Sequence, residues 1–156
     1  MEENESHCPF CALDIGEISF YETENFRTIY NRSPILPGHS LLIPKRHIES
    51  LLDFTEIELS ELMIHAKGAI LLLQKAFRCE GFNLSLQEKE EAGQSVPHFH
   101  LHLIPRKAGD LAKPGDWYPK LKESQAEILD SEDRPEMSRE EMMKMAGSIR
   151  NASIKK

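Results

Sequence analysis

The chain has 156 residues, carries a formal charge of −7 from 26 acidic and 19 basic side chains, and is 40% apolar. That length suits one domain with a sizeable core, and the apolar content excludes wholesale disorder. The acidic balance excludes a general nucleic-acid binder, which needs basicity to displace counterions, yet leaves room for a nucleotide in a local basic pocket.

In chain order, ISFYETENFRTIYN (18–31) alternates around polar residues at Glu24–Asn25 and predicts two short antiparallel strands. SPILPGHS, punctuated by Pro34, Pro37 and Gly38, makes a tight connection to a short apolar strand, SLLIP (40–44). A long helix follows, with Leu59, Leu62, Met63, Ala66, Ile70, Leu73 and Phe77 at three- and four-residue steps forming one apolar stripe. Thr55 is its expected cap, Glu56 and Glu58 suit the first turn, and Gly81 is the expected terminator. FNLSLQ (82–87) reads as a strand, EKEEAG (88–93) as a polar connector, and 97–104 as a strand. Beyond Gly109 the chain turns loop-like, acidic over 127–138, until SREEMMKMAGSIR (138–150) opens with a capping box and predicts a short helix. The whole predicts an α+β domain at 7–110, its sheet mainly antiparallel and five-stranded around one long helix, and an extension at 111–156 carrying the C-terminal helix.

The fifth strand holds the chemistry. VPHFHLHLIPRK places His98, His100 and His102 on alternate positions, so they share one face while Phe99, Leu101 and Leu103 take the other. Neighbouring imidazoles on such a face are about 6.6–6.8 Å apart and can cooperate on one ligand or metal site. A solvent-facing polar edge is the bland alternative, but Thr, Lys or Glu would serve there equally well. CPFC (8–11) supplies two thiols, half of a tetrahedral zinc site. The other ligands must then be distant histidines: His47 in PKRHIES and His98 are the choices, His7 is a rival by adjacency, and a redox thiol pair is the alternative. Cys79 reads as a small core residue. Gln87 and Gln94 bracket the loop before the histidines, and Lys45, Arg46, Arg106 and Lys107 could attract a polyphosphate or simply be solvated. The acidic start MEENESH does not resemble a signal peptide, and no apolar stretch is long enough to span a bilayer. The expectation is a cytoplasmic protein, with the nucleus also open to it, having reduced thiols and no membrane partner.

HFHLHLIPRK resembles the His-x-His-x-His signature of the histidine triad (HIT) family of nucleotide hydrolases and transferases. PGHSLLIPKRHI is similar to the family's upstream strand, and CPFC to the metal half-site of its zinc-bearing members. Gln87 seven residues before Gln94, and PRKAGD after the triad, resemble the fragile histidine triad (Fhit) branch, which cleaves dinucleoside polyphosphates. The cysteine pair and His47 depart from the best-known members of that branch and resemble other HIT branches.

The resemblance implies the HIT fold and a hydrolase cleaving diadenosine tri- or tetraphosphate, with His100 as nucleophile. It implies that His102 and Gln94 hold phosphate oxygens, that Gln87 and Asn31 touch polyphosphate and ribose, and that His39 supports the triad through a second hydrogen bond. It further implies structural zinc on Cys8, Cys11, His47 and His98, and a homodimer. A Hint-like phosphoramidate hydrolase and a nucleotide-binding signalling protein with little turnover are the alternatives.

Overall fold

A computed structural model of the chain describes residues 7–125 and 136–153. Most of the acidic loop expected at 127–138 therefore lies outside the described residues. Five strands form one antiparallel sheet: β1 Ser19–Glu22, β2 Phe26–Tyr30, β3 Ser40–Pro44, β4 Gly81–Leu86 and β5 Leu101–Arg106, in spatial order β1-β2-β3-β5-β4. A tight turn joins β1 to β2, with the Thr23 N–H donating to the Phe26 carbonyl at 3.0 Å.

The histidine strand starts later than its alternation predicts. β5 pairs with β3 only through Leu101, His102 and Leu103. Upstream, the Phe99 N–H donates to the Ile48 carbonyl instead of a ladder partner, so His98 and His100 sit on an extended approach to β5. The two-sided arrangement holds, but the imidazole side does not face water: His98, His100 and His102 are all buried.

Helix α1 (Glu56–Phe77) has the expected capping box, Thr55 and Glu58 exchanging side-chain and backbone bonds. Its buried stripe is Leu62, His65, Ala66, Ala69, Ile70 and Leu73; Met63, one position off that face, is exposed. The helix stops at Arg78, in the left-handed region (φ 50°), before Gly81 is reached, and Gly81 opens β4 instead. Helix α2 (Trp117–Gln125) was not foreseen in a stretch read as turns; its Pro119 lies in the first turn, where no intrahelical N–H bond is lost. Helix α3 (Arg139–Ala152) opens with the predicted box of Ser138 and Glu141. Its Met142, Ala146 and Ile149 join the same core as Leu42, Phe99 and Leu103. Among the described residues, no helix is long and apolar enough to cross a membrane.

His65 breaks the apolar face of α1 and is only 1% exposed, yet it is satisfied. Thr23 Oγ1 lies 2.8 Å from Nδ1 and Thr28 Oγ1 lies 2.9 Å from Nε2. Burial, reinforced by Lys45, holds its pKa down to about 4. The native state thus refuses a proton that the unfolded chain accepts below about pH 6.5, so stability falls on acidification through this window. The expected cost between pH 7 and 4 is up to about 3 kcal/mol. Denaturant titrations across that range should show the slope, and His65→Gln should make it shallower.

Gly38 turns the chain into β3 with φ +90° and donates its N–H to Tyr30 Oη at 3.0 Å. A Cβ there would lie 2.7 Å from Pro105 Cγ and 2.9 Å from Phe77 Cδ2. Gly38→Ala is therefore strained in backbone and in space, and should lower stability by about 2–4 kcal/mol, read as a shifted urea midpoint at constant slope.

Candidate active site and metal centre

Three chain segments converge on the approach to β5. The short turn Pro9–Cys11 brings Cys8 and Cys11 beneath His98, and the residues after β3 bring His47. One donor atom from each of Cys8, Cys11, His47 and His98 lies within 4.8 Å of all the others. Cys8 Sγ is 3.4 Å and Cys11 Sγ 3.5 Å from His98 Nδ1, while Cys11 Sγ is 3.3 Å from His47 Nδ1. A tetrahedral ion with ordinary zinc–sulfur and zinc–nitrogen bonds needs sulfur–nitrogen edges of about 3.5 Å, so the spacing fits. His98 Nε2 faces the Pro44 carbonyl at 3.1 Å; a carbonyl only accepts, so Nε2 carries the proton and the Nδ1 lone pair points at the thiols. The four residues form a centre that can hold a metal ion, and its donor set is right for one. His7 is exposed and outside that cluster.

The same argument fixes the other imidazoles. His100 Nδ1 lies 2.8 Å from the His98 carbonyl and must donate to it, leaving the lone pair on Nε2. The Ile35 N–H, which can only donate, reaches His39 Nδ1 at 3.1 Å. His39 is therefore protonated on Nε2, which donates to His102 Nδ1 at 2.9 Å. His102 in turn carries its proton on Nε2. Two neighbouring histidines, 5.2 Å apart between ring centres, are thus set in opposite tautomers by backbone groups. Burial lowers the pKa of His100 and, most strongly, of His102, where His39 and His100 add to the effect; burial likewise takes His98 down to about 4. All are neutral near pH 7.

His100 and His102 open onto a cavity of about 370 Å³. Phe10, Ile18, Ile29, Leu41 and Met142 give it apolar walls; Asn31, Arg32, Ser95, Glu136 and Arg139 add polar groups. A larger depression of about 830 Å³ around Arg106 and Trp117 contains none of the triad, and chemistry decides between them.

Of the expected substrate contacts, Asn31 and His102 line the cavity, and His39 stands behind His102. Gln87 and Gln94 do not line it. Gln87 Nε2 donates to Ser85 Oγ at 2.6 Å. The Gln94 amide accepts from the Lys89 N–H at 2.8 Å and donates to the Glu49 carbonyl at 3.3 Å, holding the loop that presents Ser95 and Val96. Three of the four basic residues that might have drawn polyphosphate are engaged elsewhere: Lys45 with Glu22, Arg46 with Glu58 and Arg106 with Asp110. Sequence reasoning missed Phe10, whose ring meets His98 edge-on at 5.6 Å and His100 at 5.4 Å, and missed the wall supplied by α3. The aromatic inside CPFC was a usable signal for the first; nothing local marks the second.

A sheet with this order, carrying a metal-type cluster and a histidine pair beside one nucleotide-sized cavity, defines the class, and comparison with known proteins names it. The HIT domain family matches residues 13–109, and the chain belongs to that family. It is 35% identical over 143 residues to the bifunctional bis(5'-adenosyl)-triphosphatase/adenylylsulfatase FHIT of Arabidopsis thaliana, covering 89% of this chain and 79% of that one. It is 34% identical over 119 residues to an asymmetrical bis(5'-nucleosyl)-tetraphosphatase of Schizosaccharomyces pombe, covering 76% of this chain but only 65% of that protein's length. Among solved structures, a zinc-bound histidine triad family protein from Mycobacterium smegmatis superposes with a TM-score of 0.63 at 26% identity, covering 96% of this chain and 98% of that one.

Proposed function

We propose that the protein hydrolyses dinucleoside polyphosphates, such as diadenosine triphosphate or tetraphosphate, through a nucleotidyl-histidine intermediate. The opposed tautomers of His100 and His102 carry the reading, because phosphoryl-centred substitution needs a lone pair and a proton side by side. His100 Nε2 attacks the α-phosphorus, and the bond from phosphorus to the bridging oxygen breaks as the new P–N bond forms. The second nucleotide leaves with that oxygen. His102 Nε2–H donates to the oxygen on which charge builds, and the His39–Ile35 chain keeps the proton on that nitrogen. Water then attacks the same phosphorus, the P–N bond breaks, and a nucleoside monophosphate is released.

Asn31 serves the ribose in this reading. Gln94 acts from behind the wall by fixing Ser95–Val96, and Gln87 follows β4 with its amide on Ser85. Zinc on Cys8, Cys11, His47 and His98 would have four protein ligands and no open position, so it would act as a structural staple. The names of the relatives support both the dinucleoside substrate and the metal. A homodimer is supported by the exposed edge strand β4 with Phe82, and by exposed Ile57, Ile64 and Leu71 repeating along α1.

Product analysis tests the reading: diadenosine triphosphate should give AMP and ADP, and in ¹⁸O-water the label should appear in AMP alone. Faster turnover of an adenosine phosphoramidate than of either dinucleotide would replace it with the phosphoramidate reading. Tight binding of all three without products would replace it with the signalling one.

A further inference from the structure

The cavity runs along the sheet and does not end near the triad. His102 sits on β5, Leu41 on the adjacent β3, Ile29 on β2 and Ile18 just before β1, following the strand order. Three strand spacings of about 4.8 Å separate β5 from β1, roughly 14 Å in all. A nucleotide whose α-phosphorus lies at His100 and whose ribose lies at Asn31 therefore extends its base over β2 and β1. The wall at that end is the start of α3 with the residues just before it: Glu136, Arg139 and Met142.

Two charged pairs meet there, and they differ. Arg139 is held by Glu17 at 2.8 Å and Asp14 at 3.0 Å, together with the Asp14 carbonyl at 2.7 Å, and so ties α3 to the turn before β1. Arg32 and Glu136 bind each other, and both line the cavity. Docking of α3 does not require this second pair. The helix is already held by buried Met142, Ala146 and Ile149, by the Met137 N–H on the Arg32 carbonyl at 2.9 Å, and by Arg150 on the Ser19 carbonyl at 2.6 Å. An exposed ion pair adds little to stability. What it does supply is an acceptor and a fork of donors, side by side, at the α3 end of the cavity.

We propose that Arg32 and Glu136 determine base specificity, selecting purine over pyrimidine nucleotides. This rests on the reading of the cavity as the nucleotide site. A purine edge presents an exocyclic or ring N–H donor next to a ring nitrogen or carbonyl acceptor, matching carboxylate and guanidinium respectively. A pyrimidine, one ring shorter on the same ribose, stops short of the pair and leaves both groups dependent on each other alone. Arg32 lies within the family-matched segment 13–109 and Glu136 beyond it. Specificity thus depends on a helix that the histidine signature does not describe.

The experiment compares kcat/KM for diadenosine, diguanosine and diuridine triphosphates, which share one reacting phosphate chain. Wild type should favour both purine substrates over diuridine triphosphate by at least about tenfold, one good hydrogen bond's worth. Glu136→Gln and Arg32→Met should each narrow that ratio about tenfold, mainly through KM for the purine substrates. Glu140→Gln, in the first turn of α3 but paired with Lys144, should leave the ratio at its wild-type value. A ratio that survives in either Glu136→Gln or Arg32→Met overturns the proposal. Wild type cleaving none of the three substrates instead overturns the hydrolase reading on which it stands. A structural effect of the substitutions lowers all three rates together and leaves the ratio wide, which counts against the proposal.

Discussion

His100→Asn leaves a folded, metal-binding protein whose turnover of diadenosine triphosphate has dropped by about four orders of magnitude or more, the scale on which enzymes lose a covalent nucleophile. The physical reason is narrow. His100 contributes one lone pair, on Nε2, and asparagine retains the donor to the His98 carbonyl while supplying no nucleophile. Fold and metal content should persist, because asparagine keeps the bond to the His98 carbonyl and His100 is not one of the four clustered metal donors. Acid-quenched wild type should carry a nucleotide mass adduct on the peptide containing His100, and the variant should not. Turnover within tenfold of wild type would remove the covalent mechanism altogether.

The second large effect belongs to the metal centre. Cys8→Ser should abolish stoichiometric zinc and lower the thermal midpoint by on the order of 10 °C, since each kcal/mol is worth about 2–4 °C in a chain of this size. Cys8 is buried, and its turn is tied to the approach of β5 through His98, so a missing ligand leaves polar groups facing one another without the bonds that justified burying them. The loss in nucleotide affinity should be smaller than the loss in stability. Phe10, however, rides on the same turn and covers His100, so kcat should fall measurably as well. Zinc analysis and differential scanning calorimetry on wild type and variant decide it; a variant equal to wild type in both removes the structural role.

What could be read in advance was what is written locally. The capping boxes at Thr55 and Ser138 use residues three apart, and both form. The alternation of His98, His100 and His102 places them on one side because a strand has no other choice, whereas the spacing of the thiol pair left metal and redox chemistry both open until His47 and His98 were seen beside it. Even so, Phe99 bonding to Ile48 shortened the strand, and Arg78 ended α1 three residues before the glycine that was expected to. Both are outcomes of tertiary contacts that override a local preference. His65 illustrates the same limit: three residues after Leu62 and four before Ala69, it sits where the stripe wants an apolar group. Only the fold shows that Thr23 and Thr28 arrive from the β1–β2 hairpin to satisfy it.

Contacts across long stretches of chain were the least legible. Met142 lies 40 residues beyond His102 in the sequence and shares its cavity. The proton chain from Ile35 through His39 to His102 depends on a turn geometry that PGHS suggests but does not specify.

That chain of neutral imidazoles bears on how the site lets go. Burial keeps His100 and His102 uncharged near neutral pH, and both arginines in the cavity wall are already answered by carboxylates. A phosphate bound there would therefore be met by aimed dipoles and by shape, with no surplus of positive charge. Hydrolysis of an anhydride creates additional negative charge on the products, and a strongly cationic pocket would grip them harder than the substrate it began with. Here that penalty does not arise. In the proposed reaction the separated nucleotides would lose the covalent link that kept both halves aligned and gain no compensating attraction, so the site would empty for the next turnover.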